Sequence, residues 1–175
     1  MKFDTELCEL AFKYGTDKCP QLAHSYTPFY YHLFADKRES VHKLLEIGVG
    51  CKEVMLGQPN YLNGASLYMW RDFFPNAQIY GIDIKKDLVF KKKRMQTFLC
   101  SQADPVKLTK LIKKIGSDID IVIDDGSHRP NDIILSCLTL MPLLKKEVVY
   151  VIEDTNKPHA ERVMKFLTKN YNLHV

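Results

Sequence analysis

Five short apolar runs, near residues 43–48, 78–83, 95–99, 119–124 and 148–152, are separated by segments long enough to hold helices. Runs of this length read as buried strands, and strands alternating with helices predict a parallel sheet covered on both faces. In the segment Ala65 to Phe74, residues Leu67, Trp70, Phe73 and Phe74 recur at helical spacing before Pro75-Asn76. Further helices are expected near 105–115, 131–141 and 158–169, with Pro105 and Pro158 suited to first turns. The expected fold is therefore α/β: a Rossmann-like, doubly wound, mostly parallel sheet. The 175 residues suit one domain, 1–175. Residues 1–40 read differently, with a short amphipathic helix from Thr5 to Tyr14, a loop, and the aromatic stretch His24 to Phe34. They are expected to form a cap over the sheet's binding edge, with Phe29, Tyr30 and Phe34 packing as core.

Composition narrows the function classes. No apolar run approaches the ~20 residues of a membrane span, and acidic residues interrupt the N-terminal MKFDTELCEL where a signal peptide would be apolar. A cytoplasmic location follows as the expectation. The five cysteines are odd in number, scattered and without a C-x-x-C pair, which predicts reduced, structural thiols. Much of the net charge of +4 comes from Lys85-Lys86 and Lys91 to Arg94. Such runs usually form a solvated face, so nucleic acid is not the expected partner.

The chemistry sits at strand ends. Asp124-Asp125-Gly126-Ser127-His128 follows one apolar run and Glu153-Asp154 follows another. Neighbouring strands would thus place carboxylates and an imidazole on the edge where open α/β sheets bind ligands, a site for a hard metal ion and a general base. Upstream, Glu46-x-Gly48-x-Gly50 ends the first strand, where glycines let backbone approach a ligand. Asp83 ends the second strand, placed either to accept ribose hydroxyls or merely to cap a turn. Glu53 stands where a dinucleotide's pyrophosphate would need a neutral turn, so a cofactor without phosphates, S-adenosylmethionine, fits better. Ser101 to Asp104, Gln102 included, could meet its adenine or cap the helix at Pro105. The segment Cys51 to Gly64, with Gly57, Pro59, Asn60 and Asn63, reads as a long loop beside the cofactor.

The chain resembles the class I S-adenosylmethionine-dependent methyltransferases, and more narrowly the metal-dependent sugar O-methyltransferases of macrolide biosynthesis, of the mycinose and macrocin type. The words that carry the resemblance run in order from GTDK (Gly15 to Lys18) and HSYTPFY (His24 to Tyr30) through LLEIGVG (Leu44 to Gly50) and GASLYMWRDFFPNAQIYGIDI (Gly64 to Ile84) to DIDIVIDDGSH (Asp118 to His128) and YVIEDT (Tyr150 to Thr155). The resemblance implies Asp125, Glu153 and Asp154 as ligands of Mg²⁺ or another divalent cation, and His128 as catalytic base. It implies Glu46, Gly48, Asp83 and Gln102 as cofactor positions, with Asp124 supporting the cofactor or the metal ligands. That family's domain commonly closes its sheet with a further hairpin, whereas only Tyr171 to Val175 follow the last expected helix. Either the sheet lacks its usual last strand or the chain is one domain of a longer polypeptide.

The expected reaction is O-methylation of a sugar hydroxyl on a glycoside, glycan or nucleotide sugar, with the metal acidifying the hydroxyl and His128 taking its proton. Lys18, His24 and Tyr26 are the candidate acceptor-side residues. The alternatives are a catechol-type or other small-molecule O-methyltransferase and a non-catalytic cofactor-binding domain. RNA ribose methylation is disfavoured because Asn131 to Leu144 holds no lysine. An exposed sheet edge would suit a homodimer.

Overall fold

A computed structural model of the chain describes residues 2–53 and 61–170, with Asn170 by its backbone alone. Gly57, Pro59 and Asn60 of the expected loop, and Tyr171 to Val175, lie outside the described residues. The strands are β1 (Lys43–Ile47), β2 (Gln78–Asp83), β3 (Lys91–Lys92), β4 (Met95–Leu99), β5 (Ile121–Asp124) and β6 (Val149–Ile152). The helices are α1 (Glu6–Tyr14), α2 (Tyr26–Phe34), α3 (Ala65–Phe73), α4 (Pro105–Ile115), α5 (Pro130–Leu140) and α6 (Lys157–Asn170). No described helix is long and apolar enough to cross a membrane.

The sheet order is β3-β4-β2-β1-β5-β6, with every pairing parallel except β3 to β4. From β1 the chain builds outward through β2 and β4, then returns to lay β5 and β6 on the other side of β1. The strand order therefore reverses at β1 and β5, and the crevice beyond their carboxyl ends is where such sheets bind ligands.

Strands buried on both faces must be apolar at successive positions rather than alternate ones. Leu44 packs on one side with Trp70, Phe73, Phe74, Tyr30 and Phe34, while Leu45 packs on the other with Leu108, Leu111 and Ile112 of α4. Ile121, Val122 and Ile123 alternate between the same two cores. The helix starts follow ordinary capping chemistry. Thr5 Oγ1 accepts from Cys8 N at 3.2 Å in α1, and Asp104 Oδ1 accepts from Lys107 N at 3.0 Å in α4, behind Pro105 in the first turn. All five cysteines are buried and unpaired.

Two elements depart from the sequence reading. The aromatic stretch contains α2, whose Thr27, Tyr30 and Phe34 face inward at helical spacing, while Phe29, expected in the core, is 59% exposed. The basic run ahead of the third expected strand contains the two-residue β3, which pairs antiparallel with β4 at the sheet edge, with Arg94 reversing the chain at φ 58. Lys91 to Lys93 are exposed as expected for a solvated face. Arg94 is not part of that face: its guanidinium donates to the carbonyls of Arg71, Phe74 and Ala77 at 2.7, 2.9 and 2.9 Å.

Opposite the crevice, Asp120 ties three strands together. One carboxylate oxygen accepts from His42 N and Lys43 N at 2.7 and 2.8 Å, and the other accepts from Lys145 Nζ. Burial pushes this carboxyl up, but Lys145 and the two backbone donors outweigh it and hold it below the usual carboxylate range. Asp120→Ala should cost about 2 kcal/mol because partly buried donors lose their acceptor, a drop in Tm on the order of 4–8 °C for a chain of this size. A depressed folded-state pKa stabilises above the unfolded value and is lost as pH falls through the folded one. The gap between variant and wild type in thermal melts should therefore be full near neutrality and narrow below pH ~4; a gap independent of pH would exclude the carboxylate's charge as its source.

Candidate functional site

At the end of β1 the chain must turn sharply beneath the loop that follows β5. Gly48, at φ 92, makes this turn, and a Cβ there would lie 2.0 Å from the carbonyl oxygen of Asp125. Only glycine fits both the backbone angle and the contact. Gly50 is also left-handed, at φ 72. Between them Val49 N donates to Asp83 Oδ2 at 3.0 Å, and Asp83 Oδ1 accepts from Lys85 N at 2.9 Å. Asp83 thus does cap a turn, yet it also lines the cavity and keeps lone pairs free for a ligand hydroxyl.

A cavity of about 770 Å³ opens over these strand ends, lined among others by Gly48, Gly50, Asp83, Gln102, Asp125 and Asp154. Its size is that of an ordinary small-molecule site. Glu46 and Asp124, expected beside the cofactor, are set behind its wall. Asp124 is buried and accepts from Gln102 Nε2, Ser136 Oγ and Tyr150 Oη at 3.1, 2.8 and 3.1 Å. Gln102 Oε1 in turn accepts from Ser127 N at 2.6 Å, so Asp124 acts on the cavity by fixing Gln102 and the β5 loop.

The β5 and β6 ends bring Asp125, His128 and Asp154 together, with one possible ligand atom from each within 4.8 Å of the others. His128 Nε2 lies 3.2 Å from Asp125 Oδ1. That hydrogen bond raises the imidazole's pKa above its usual value, against the opposing effect of burial. Among the described residues other than glycine, positive φ occurs at Arg94, His128 and Asp154, at 58, 57 and 52°. Two of the three strained residues thus belong to this cluster, and strain of this kind concentrates where side chains must be aimed.

Glu153, expected to share the metal with Asp154, is set deeper than that cluster and shares the Lys18 ammonium with Asp125. It is buried and accepts from Lys18 Nζ and from Tyr30 Oη. Lys18, expected on the acceptor side, is 2% exposed and enclosed by carboxylates, its Nζ 2.6 Å from Asp125 Oδ2 and 3.7 Å from Glu46 Oε1. Burial works against the ammonium's charge, but Asp125, Glu153 and Glu46 outweigh it and hold its pKa well above the usual lysine value. Burial likewise pushes the Asp125 carboxyl up, yet Lys18 and His128 prevail and hold it below the usual range. Burial drives Glu153 upward. It drives Glu46 to about 8, where Ser66 Oγ donates to one oxygen at 2.9 Å and the other has no hydrogen-bond partner among the described residues.

Tyr26 Oη donates to Asp154 Oδ1 and accepts from Asp154 N at 3.3 Å, supporting the left-handed backbone there. His24 stacks on Tyr26 with ring centroids 5.1 Å apart, and its nitrogens lie 3.7 Å from Asp17 and 3.9 Å from Asp154. The candidate acceptor residues are therefore divided: Lys18 lies within the carboxylate cluster, Tyr26 holds Asp154, and His24 is partly exposed beside both. Tyr30, read as core alone, is a site residue that the sequence reading missed. Its spacing of four from both Tyr26 and Phe34 was the available signal, since it places all three on one helical face.

This strand order, glycine turn and row of carboxylates define the fold of the class I methyltransferases. No protein-family model matches the chain. Over 149 residues it is 39% identical to the mycinamicin VI 2''-O-methyltransferase of Micromonospora griseorubida, a match covering 85% of this chain and 36% of that protein. Over 148 residues it is 37% identical to the 8-demethyl-8-alpha-L-rhamnosyl tetracenomycin-C 2'-O-methyltransferase of Streptomyces olivaceus, covering 85% and 37%. A solved structure of the MycE methyltransferase from the mycinamycin biosynthetic pathway, in complex with Mg, SAH and mycinamycin VI, matches with a TM-score of 0.73 at 39% identity, over 86% of this chain and 39% of that one. The chain is a methyltransferase-fold relative of the macrolide and tetracenomycin sugar O-methyltransferases, and it spans little more than a third of the length of the relatives it matches.

Gly48→Ala should cost on the order of 1–3 kcal/mol through its left-handed backbone alone, and more through the Asp125 carbonyl contact. The expected readout is a lower urea midpoint with unchanged m-value. A midpoint equal to that of wild type would mean that the turn relaxes freely.

Proposed function

We propose that the chain is the S-adenosylmethionine-binding catalytic domain of an O-methyltransferase that acts on a sugar hydroxyl with the aid of Mg²⁺ or another divalent cation. One observation carries this reading: Asp125, His128 and Asp154 converge within 4.8 Å on the wall of the same cavity that Gly48, Gly50, Asp83 and Gln102 line. The residues present fit both groups. Carboxylate oxygens are the ligands that a hard divalent cation prefers, and Asp125 and Asp154 offer them beside the buried carboxylate of Glu153. For the cofactor, the open backbone at Gly48 and Gly50 accommodates its amino-acid tail, while Asp83 is placed to accept from ribose hydroxyls.

A divalent cation held there by Asp125 and Asp154 would supply Lewis acidity to the acceptor hydroxyl. S-adenosylmethionine supplies the methyl group on its sulfonium. His128 takes the acceptor hydroxyl's proton at Nδ1, while Asp125 orients the ring by accepting from Nε2. Asp124 keeps Gln102 and the Ser127 backbone in place without touching either ligand. Tyr26 fixes Asp154, and His24 stands on the acceptor side, where a glycosyl ring would approach. The names of the relatives support a sugar as acceptor: rhamnosyl tetracenomycin-C in one and mycinamicin VI in the other.

Calorimetric titration with S-adenosylmethionine, with Mg²⁺ and again after EDTA, is the direct test. Micromolar binding is expected, and its absence under both conditions would overturn the reading. His128→Ala should keep cofactor binding and lose turnover by roughly 100-fold or more; unchanged turnover with a rhamnosyl acceptor would remove the imidazole from the base role. Because the base must be neutral and its pKa is raised, the wild-type rate should climb with pH from the acid side and reach its plateau above the usual histidine range.

A further inference from the structure

The part of the site that the methylation reading leaves unused is Lys18. Its ammonium lies where a cation is most favoured, between Asp125 Oδ2 at 2.6 Å and Glu153 Oε2. Asp125 belongs to the cluster with His128 and Asp154, and Glu153 directly precedes Asp154 at the end of β6, so both carboxylates border the position that a divalent ion would take. An ammonium and a metal ion cannot use the same lone pairs of Asp125 at once, and two positive charges a few ångströms apart in a poorly hydrated site repel strongly.

A second observation says where the ammonium goes. Glu46 Oε1 is buried without a hydrogen-bond partner among the described residues, and it lies 3.7 Å from Lys18 Nζ. Buried polar atoms left unpaired are rare in native structures and call for an explanation. A shift of about 1 Å toward Glu46 would bring the pair to charge-assisted hydrogen-bond distance. The side chain has the freedom for that shift, because Lys18 also lines the cavity and its ammonium is carried on a flexible four-carbon stem. The backbone itself is anchored, since Lys18 O accepts from Tyr26 N and Thr27 N at 3.1 and 3.0 Å. Tyr30 and Tyr26 would still hold Glu153 and Asp154 when the ammonium leaves.

We propose that Lys18 is an internal cation competing with the divalent ion for Asp125 and Glu153, and that metal loading moves its ammonium onto Glu46. Lys18 is thus a positioning residue that keeps the carboxylates assembled while the metal is absent and sets the affinity with which it enters. This rests on the reading of Asp125 and its neighbours as a metal site.

The test is Mn²⁺ binding to the full chain, followed by electron paramagnetic resonance of the free ion, with thermal melts to establish folding. Lys18→Met removes the competitor and should tighten Mn²⁺ binding by at least ~10-fold, although the metal-free protein melts lower. Glu46→Gln keeps the shape and the Ser66 hydrogen bond but removes the carboxyl that can ionise to receive the ammonium, so it should weaken Mn²⁺ binding several-fold. A lysine that merely presented the ligands would give weaker binding in Lys18→Met and no change in Glu46→Gln. Either of those results, with wild type binding Mn²⁺, would overturn the competition while leaving the metal site standing. Binding by Lys18→Met alone would support it in its strongest form, and binding by neither would overturn both. Should Lys18→Met fail to fold, the direction of the Glu46→Gln effect decides.

Discussion

The ammonium of Lys18 joins three parts of the chain at one point: the loop after α1, the floor of the sheet at Glu46, and the carboxyl ends of β5 and β6 at Asp125 and Glu153. Removing a charge from water costs several kcal/mol per ion, so a buried lysine or glutamate persists only where the opposite charge is close and well oriented. Three carboxylates around one ammonium, two of them buried, would be a poor arrangement if all were charged. The rise of Glu46 to about 8 relieves it, because this carboxyl can remain neutral while Asp125 and Glu153 share the cation.

From that point the order of the N-terminal region follows. Lys18 and Tyr30 hold Glu153, Tyr26 holds Asp154, and the same helix packs Tyr30 and Phe34 against Trp70 and Phe74. A helix of nine residues would be marginal alone. Its apolar face and its two phenols instead tie it to the sheet through one core and one site. Local order in this region and the geometry of the Glu153-Asp154 pair are consequently a single cooperative property, and loss of either propagates to the other.

Legibility in the sequence tracked how local the cause was. β1 and β5 were legible because burial on both faces demands apolar residues at successive positions, β2, β4 and β6 because short apolar stretches recur at the spacing of an alternating α/β chain, and α4 because Asp104-Pro105 and its spaced leucines are a complete local signal. β3 was not, since two exposed lysines pair by virtue of the Arg94 turn rather than their own preference. α2 was hidden because its aromatic residues favour strands as readily as helices. In the site, the strand-end carboxylates and the glycine turn could be found from position alone. The inward aim of Glu153 and the burial of Lys18 could not, because they depend on partners 107 and 135 residues apart in the chain.

The division of labour among the acidic residues follows from depth rather than from residue type. Asp124 and Glu46 are sealed from the cavity and act through Gln102, Ser66 and Lys18, whereas Asp83, Asp125 and Asp154 reach it directly. Extended backbone alternates its side chains between faces, and where β5 ends Asp124 meets Ser136 and Tyr150 while Asp125, the next residue, meets Lys18 and His128. At Glu153-Asp154 the left-handed backbone of Asp154 achieves the same separation. Each acidic pair thus gives one residue to the interior and one to the cavity, so the carboxylates that line the cavity are backed by carboxylates that fix the surrounding groups.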